Sequence, residues 1–351
     1  MISETSYVEY KIRDWIDTEK LDWETFSENP NAIDLLENNP DKIDWYWLSR
    51  NPNAIPLLEK NPEKINWNRL SQNTNAIPLL EKNLDKIDWY WLSRNPSAIP
   101  LLEKNLDKVD WSGLSLSSNP SAIHLLEKNI DKVNWDYLSP NPNPNAISLL
   151  EKNQDNINWR YLSHNQNPNA IPLLEKNLDK VDWYYLSLNP NAIPLLEQHP
   201  DKIYWSALSR NPSPGAISLL EKNLDKVNWE YLSLNPNAIP LLEQNQDKIY
   251  WSFLSKNPNP MAIPLLEQNQ DKIQWMHLSI NPNALPLLEK NPDKIKWCMF
   301  TRNPIIFETY YNYEKMKERM KSTIVEELMM KTWHPTRIEK WLEMGLDLED
   351  L

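Results

Sequence analysis

Glycine is nearly absent from this chain, with only 3 residues among 351, whereas there are 29 prolines and 18 tryptophans. Three glycines cannot build the loops that cradle phosphates in nucleotide-binding proteins, and neither GxxxxGK[ST] nor GxGxxG occurs. The single cysteine, Cys298, excludes an intrachain disulfide and a Cys-based metal cluster. The longest apolar stretches are about five residues, so no transmembrane helix is predicted. The polar first residues are also unlike a secretory signal.

Basic residues are in deficit, since 37 Lys and Arg face 49 Asp and Glu, for a net charge of −12. Proteins that bind nucleic acids normally carry a basic patch, because phosphate contacts supply most of their affinity. The charge balance therefore argues against nucleic acid as the partner. It also keeps a long chain soluble.

Tryptophan recurs at a nearly constant interval of 22 or 24 residues. The thirteen positions are Trp23, Trp45, Trp67, Trp89, Trp111, Trp135, Trp159, Trp183, Trp205, Trp229, Trp251, Trp275 and Trp297. Between successive tryptophans lies an alanine, always 13 residues before the next Trp but 9 or 11 residues after the preceding one. Segments that absorb insertions are surface loops, so the Ala-to-Trp segment is the packed part of each copy.

The copy at 51–71 illustrates the local structure that this segment predicts. Ala54, Ile55, Leu57 and Leu58 form one apolar helical face, with Asn53 as the expected N-cap. A second short helix is expected from the Trp to the Leu-Ser that follows it, capped by the Asp or Asn before the Trp in nine of thirteen copies. A leucine-rich-repeat-like strand is the alternative for this second element, since LSxN echoes that consensus.

Helices of two turns are not stable alone in water, so the copies must stack on one another. We therefore predict an all-α fold: an elongated α-solenoid of about twelve helix pairs, on the order of 100 Å long if the array does not curl, since packed helices lie about 8–10 Å apart. The thirteen tryptophans are expected in its core. Residues 1–22 are predicted as an N-terminal cap, 23–303 as the array, and 304–351 as a C-terminal helical cap or docking module.

The two ends of the chain support the capping interpretation. Val8, Ile12, Trp15 and Ile16 have helical spacing and could replace the first helix that the initial copy lacks. After Asn303-Pro304 the periodicity stops, and helices are expected at 312–321, 323–332 and 336–344.

The unit LSxNPNAIPLLEKNPDKIDWxxLS and the tail with ETYYNYEKMKERM and WHPTRIEKWLEMGLDLEDL resemble repeats and terminal segments of uncharacterised proteins of giant nucleocytoplasmic DNA viruses. The resemblance covers nearly the whole chain. It implies a viral source, and hence the cytoplasm of an infected cell or a virion, but it supplies no catalytic residues.

No unique constellation of catalytic residues stands out, because a repeat offers the same side chains in every copy. The five histidines occupy unrelated positions and have no metal-ligand spacing. We expect a non-enzymatic protein with no catalytic, cofactor-binding or metal-binding residues.

The informative variation lies at the two positions after each Trp, which change from copy to copy and are rich in Tyr, Trp and Arg. These residue types are enriched at interface hot spots. We expect them to face outward and to bind a protein of the host or the virus, although lateral packing between repeats is the alternative. The predicted partner-binding residues are Tyr46, Trp47, Arg69, Tyr90, Trp91, Tyr137, Arg160, Tyr161, Tyr184, Tyr185, Tyr231 and Phe253.

Three other functions stay open at this point. An extended array could be a structural component of the virion. The layout of a repeat array with a C-terminal module is similar to poxvirus proteins that recruit a ubiquitin ligase, by analogy of arrangement only. A helical repeat with variable residues can also read nucleic-acid bases, which the arginines at 50, 69, 94 and 160 would permit.

Overall fold

The computed structural model describes residues 8–311 and residue 317. Contacts divide the chain into two compact units. Residues 17–305 form the repeat unit, and the two flanking segments, up to residue 16 and from residue 306, form a second one.

Each repeat tryptophan begins a short α-helix, which we call the second helix of its copy. Except at Asp22, the residue before the Trp caps the helix where that residue is Asp or Asn, as when Asp44 Oδ1 accepts the Trp47 N–H at 3.0 Å. The second helices are Trp23–Phe26, Trp45–Leu48, Trp67–Ser71, Trp89–Arg94, Trp111–Ser115, Trp135–Leu138, Trp159–Ser163, Trp183–Leu188, Trp205–Leu208, Trp229–Leu234, Trp251–Leu254, Trp275–Leu278 and Trp297–Phe300.

A first helix, carrying the Ile-Pro-Leu-Leu-Glu motif or a variant of it, lies between successive second helices. The first helices are Ile33–Glu37, Ile55–Lys60, Ile77–Glu81, Ile99–Glu103, Pro120–Glu127, Pro144–Lys152, Ile171–Glu175, Ile193–Gln198, Pro214–Glu221, Ile239–Gln244, Ala262–Glu267 and Leu285–Lys290. The predicted all-α repeat solenoid is therefore confirmed, and the Trp-Leu-Ser element is a helix rather than a leucine-rich-repeat-like strand.

Short 3₁₀ helices link many of these α-helices, an element that the sequence pattern did not predict. They are Thr18–Lys20, Pro30–Ala32, Pro40–Lys42, Pro62–Lys64, Leu84–Lys86, Ile130–Lys132, Gln154–Asn156, Pro168–Ala170, Pro200–Lys202, Leu224–Lys226, Pro236–Ala238, Gln246–Lys248, Gln270–Lys272, Pro292–Lys294 and Pro304–Ile306. Most of them precede a Trp and carry its Asp-Lys dipeptide. They determine the path of the backbone into the second helix that follows.

The core of each copy is aliphatic. Ala54, Leu58 and Leu70 are fully buried, and so are their counterparts in the other complete copies. The expectation that the repeat tryptophans form the core is wrong, because all thirteen are only half-buried. The ammonium group of a lysine from the following turn covers one ring face in most copies, as Lys64 covers Trp45 at 4.7 Å from the ring centroid.

Buried polar side chains join each copy to the next. Ser49 Oγ accepts the backbone N–H of Asn66 at 2.9 Å, and the equivalent bond recurs along the array. Asn51, which is fully buried, donates from Nδ2 to the carbonyls of Ser27 and Asn29 at 3.1 and 2.8 Å. Buried polar groups need such partners, since an unpaired one costs about 1–3 kcal/mol.

Equivalent asparagines form a row of hydrogen bonds between copies, which we call the asparagine ladder. Its members are Asn51, Asn73, Asn95, Asn141, Asn165, Asn189, Asn211, Asn235, Asn257, Asn281 and Asn303. Asn51 Oδ1 also accepts the Asn53 N–H at 3.0 Å. Asn51, rather than the predicted Asn53, therefore caps the turn that leads into the first helix.

The first and last copies of the repeat unit contact each other. The backbone N–H of Asp22 donates to Thr301 Oγ1 at 3.1 Å, which is the bond that links neighbouring copies elsewhere. Lys20 Nζ lies 5.7 Å from the centre of the Trp297 ring, as other lysines lie over other tryptophans. The array thus closes on itself: it curls, so the length expected for an uncurled array does not apply.

In the flanking unit, β1 (Val8–Ile12) pairs antiparallel with β2 (Phe307–Tyr311), and Ile12 is opposite Phe307. Glu308 forms ion pairs with Lys11 at 3.0 Å and with Arg13 at 3.2 Å. The helix expected from Val8 to Ile16 is therefore wrong: its beginning is a strand, because a partner strand from the far end of the chain is available. The helices predicted at 312–321, 323–332 and 336–344 lie outside the described residues, apart from residue 317, as does the choice between cap and docking module.

Candidate interaction surface

The N-cap and the buried leucine set the orientation of each second helix, and therefore the direction in which its two variable positions point. In the third copy, Asn66 caps the helix by accepting the Arg69 N–H at 3.0 Å, and Leu70 is buried completely. Asn68, directly after the Trp, is then exposed, whereas Arg69 is half-buried against the neighbouring copy. The first variable position is thus the more exposed of the two, and the second also packs laterally.

The twelve predicted partner-binding residues, which we call the variable surface, all lie at these positions on second helices, and none is fully buried. Five of them are exposed: Tyr46, Tyr137, Arg160, Tyr161 and Tyr184. Seven are half-buried: Trp47, Arg69, Tyr90, Trp91, Tyr185, Tyr231 and Phe253. The lateral-packing alternative therefore holds in part, mainly for the second position.

At one end of the variable surface, the Arg69 guanidinium lies over two aromatic rings of the preceding copy. It is 4.2 Å from the centroid of the Tyr46 ring and 4.9 Å from that of Trp47, and it donates a hydrogen bond to the Tyr46 hydroxyl. Trp47 Nε1 donates in turn to the Glu24 carboxylate at 3.1 Å. These contacts hold the aromatic rings in one orientation.

A second cluster lies around Tyr185. Arg160 donates to its hydroxyl at 3.1 Å and stacks on its ring at 4.9 Å. Tyr184 packs edge-to-face on Tyr185 at 5.5 Å and on Tyr204 at 5.8 Å. Tyr184 remains exposed in spite of these contacts. Tyr204 was not predicted as part of this cluster, because the position before each Trp is typical of a helix cap.

Two arginines beside the variable surface directly follow the Leu-Ser pair of their copies. Arg94 stacks on Trp91 at 4.9 Å, and Arg210 stacks on Tyr231 at 5.1 Å. Their position varies from copy to copy as the variable positions do, and this variation could have identified them. His164 occupies the same position, 6.0 Å from Tyr185. Burial, followed by the positive charge of Arg210, lowers the pKa of the His164 imidazole below its ordinary value of 6.5.

Small residues interrupt the row of aromatic side chains. Gly113 packs so closely that a Cβ there would lie 2.7 Å from the Tyr90 carbonyl oxygen and 3.2 Å from Ser93 Cβ. Ala207 is likewise almost fully buried. At these copies the second helix packs closely against its neighbour.

Open grooves lie between copies. One of about 540 Å³ lies between the tenth and eleventh copies and is lined by Trp229, Glu230, Lys248 and Tyr250, among others. Among the residues that the structure describes, no three His, Cys, Asp or Glu side chains converge to hold a metal ion. None of the described helices is long and apolar enough to cross a membrane.

No protein-family model matches the chain, and no curated protein and no solved structure shows significant similarity to it. The resemblance to repeat proteins of giant DNA viruses therefore remains a hypothesis.

Proposed function

We propose that this protein binds another protein through the variable surface. The observation that carries the proposal is the group of exposed tyrosines, Tyr46, Tyr137, Tyr161 and Tyr184, which remain 38–44% accessible on helices whose other positions are nearly invariant. Tyrosine presents a large ring with a polar tip at a low entropic cost, and it is enriched at binding hot spots.

The ordered state of these side chains favours binding. Arg69 holds Tyr46, and Arg160 contacts Tyr185, which packs against Tyr184. A side chain that is already held loses less conformational entropy when a partner covers it. The closed hydrogen-bonded array beneath supplies the rigid support that such a surface requires.

A pair of photo-crosslinking variants tests the location of the binding surface. In the full chain, p-benzoylphenylalanine replaces Tyr184 in one variant and Leu178 in the other. The two residues are equally exposed, at 38% and 36%, but Leu178 belongs to the turn before Trp183 rather than to the variable surface. The protein is expressed in cells, and crosslinked proteins are identified by mass spectrometry.

We expect a partner that crosslinks to position 184 and not to position 178. Its affinity, measured with purified proteins, should fall about tenfold or more in Tyr184→Ala, and stay within about threefold of the parent in Leu178→Ala. Equal crosslinking at both positions, or an unchanged affinity in Tyr184→Ala, would refute the proposal.

A further inference from the structure

The lysine over each repeat tryptophan is a regular part of the array. In eleven copies the Nζ atom lies 4.6–5.7 Å from the centroid of a repeat Trp ring. The lysine comes from the turn before the next repeat Trp, as Lys132 covers Trp111 and Lys180 covers Trp159. For Trp297, the last of the series, it is Lys20 from the turn before Trp23. An ammonium ion is attracted to the face of an indole ring by its quadrupole.

Two copies depart from this pattern. At Trp183 the imidazole of His199 contacts the ring edge-to-face at 5.1 Å, while Lys202 pairs with Asp201 at 3.5 Å. At Trp135 the position of the lysine is occupied by Asn156. In the part of the chain that the structure describes, no Lys or Arg lies over the Trp135 ring.

The backbone around Trp135 is unchanged by this difference. Residues Gln154–Asn156 form the same 3₁₀ turn as Ile130–Lys132 in the preceding copy. The Asn156 N–H donates to the Asn153 carbonyl at 3.0 Å, and the Lys132 N–H donates to the Asn129 carbonyl at the same distance. The site therefore keeps the shape that holds an ammonium group in the other copies and lacks only the long cationic side chain.

The charge around this site also favours a cation. Asp155 is retained and exposed, although the lysine that follows the acidic residue in other copies is absent. Asp136, directly after Trp135, is a second exposed carboxylate, held by the Asn158 amide at 2.7 Å. Trp135, like the other repeat tryptophans, is only half-buried, so part of the residue is accessible from outside the chain.

We propose that the face of Trp135 is a binding site for the side chain of a lysine from the partner protein. The ammonium group takes the place that the protein's own lysines take in eleven other copies, between the indole ring and the acidic edge formed by Asp155 and Asp136. The inference rests on the proposed function, since it adds a lysine anchor to the surface that a partner recognises.

The test needs no knowledge of the partner. The indole N–H signals of the full chain, labelled with ¹⁵N, are followed during titration with Nα-acetyl-lysine methylamide at constant ionic strength. Nα-acetyl-norleucine methylamide, which has the same chain without the ammonium group, is the neutral control, and the arginine analogue distinguishes guanidinium from ammonium. Trp135→Phe assigns the signal.

We expect the Trp135 signal to move at least fivefold more than those of Trp111 and Trp159, and only with the lysine analogue. Asn156→Lys should abolish the response by supplying an internal cation. Lys180→Asn should create a second responding signal at Trp159, as a gain of binding that loss of folding cannot mimic.

Three results would overturn the inference. They are a Trp135 shift no larger than those of the lysine-covered tryptophans, an equal response to the norleucine analogue, or a stronger response to the arginine analogue. Because this titration uses no partner, its failure leaves the crosslinking experiment on Tyr184 independent. Conversely, loss of partner binding at Tyr184 does not decide whether Trp135 takes an ammonium group.

Discussion

The asparagine ladder makes a quantitative prediction at Asn189. This side chain is fully buried and donates from Nδ2 to the carbonyls of Ser163 and Asn165, at 3.1 and 2.8 Å. Its Oδ1 accepts the Asn191 N–H at 3.0 Å. The change Asn189→Ala removes both donated bonds and the accepted one, while leaving the backbone conformation accessible.

The cost follows from what the truncation leaves behind. Two carbonyl groups in the interior lose their donor, and each buried unsatisfied group costs about 1–3 kcal/mol. The Asn191 N–H is partly exposed, and water can replace its lost acceptor. We therefore expect Asn189→Ala to lower the free energy of unfolding by about 3–5 kcal/mol.

The assay combines urea unfolding, followed by tryptophan fluorescence, with hydrogen exchange of amides near residues 163–189. Hydrogen exchange is needed because repeat arrays can unfold in parts, so that a single free energy of unfolding does not describe them. Asn169→Ala is the matched control: Asn169 is exposed, and its loss should change stability by less than about 0.5 kcal/mol. If Asn189→Ala resembled this control, the buried ladder would not stabilise the array and the reasoning would be wrong.

Three further predictions concern the ladder, the closure and pH. Ser117 is buried at a position of the asparagine ladder. Ser117→Asn should raise the urea midpoint by restoring an amide donor at this position. An unchanged or lower midpoint would show that this copy cannot accommodate the asparagine. Thr301→Val removes the acceptor of the Asp22 N–H, so exchange at that amide should accelerate about fivefold, for roughly 1 kcal/mol lost, while Thr301→Ser should retain protection. The pKa of His164 is lower in the folded than in the unfolded protein, so the unfolded state binds the proton more readily and stability should decline as the pH falls through 6.5. His164→Gln should make the urea midpoint less dependent on pH between about 7.5 and 5.5, and an unaltered dependence would contradict this.

The repeat and its helices were predictable from the sequence because their causes are local. The constant 13-residue distance from Ala to Trp marked the packed segment, and the spacing of Ala54, Leu57 and Leu58 marked one helical face. The variable positions were also visible, since a residue that changes while its neighbours stay constant is not part of the shared core. Their exposure, in contrast, depends on the neighbouring copy, and this is why Trp47 and Arg69 proved half-buried.

Other features required the tertiary structure. The pattern of Trp67 and Leu70 placed both in the core, but only the packed copies show that a lysine three residues before the next Trp lies over each indole ring in most repeats. Likewise Asn51 was interpretable as a turn residue, whereas its amide bonds two carbonyls 22 and 24 residues away. Contacts between copies leave no pattern in the sequence of a single copy, so they could not be predicted from it.

Closure of the array is the feature that the sequence determined least. Residues 19–23 resemble a degenerate second half of the repeat, and Val8, Ile12 and Ile16 have the spacing of a capping helix. In the structure, the Asp22 N–H bonds Thr301, and Val8–Ile12 pairs with Phe307–Tyr311. Whether an array stays open or closes depends on a small rotation between neighbouring copies that accumulates along the chain. The amino-acid sequence determined the repeat, its helices and its variable face, because those follow from local spacing and polarity; the meeting of the two ends was decided by the accumulated geometry of thirteen copies.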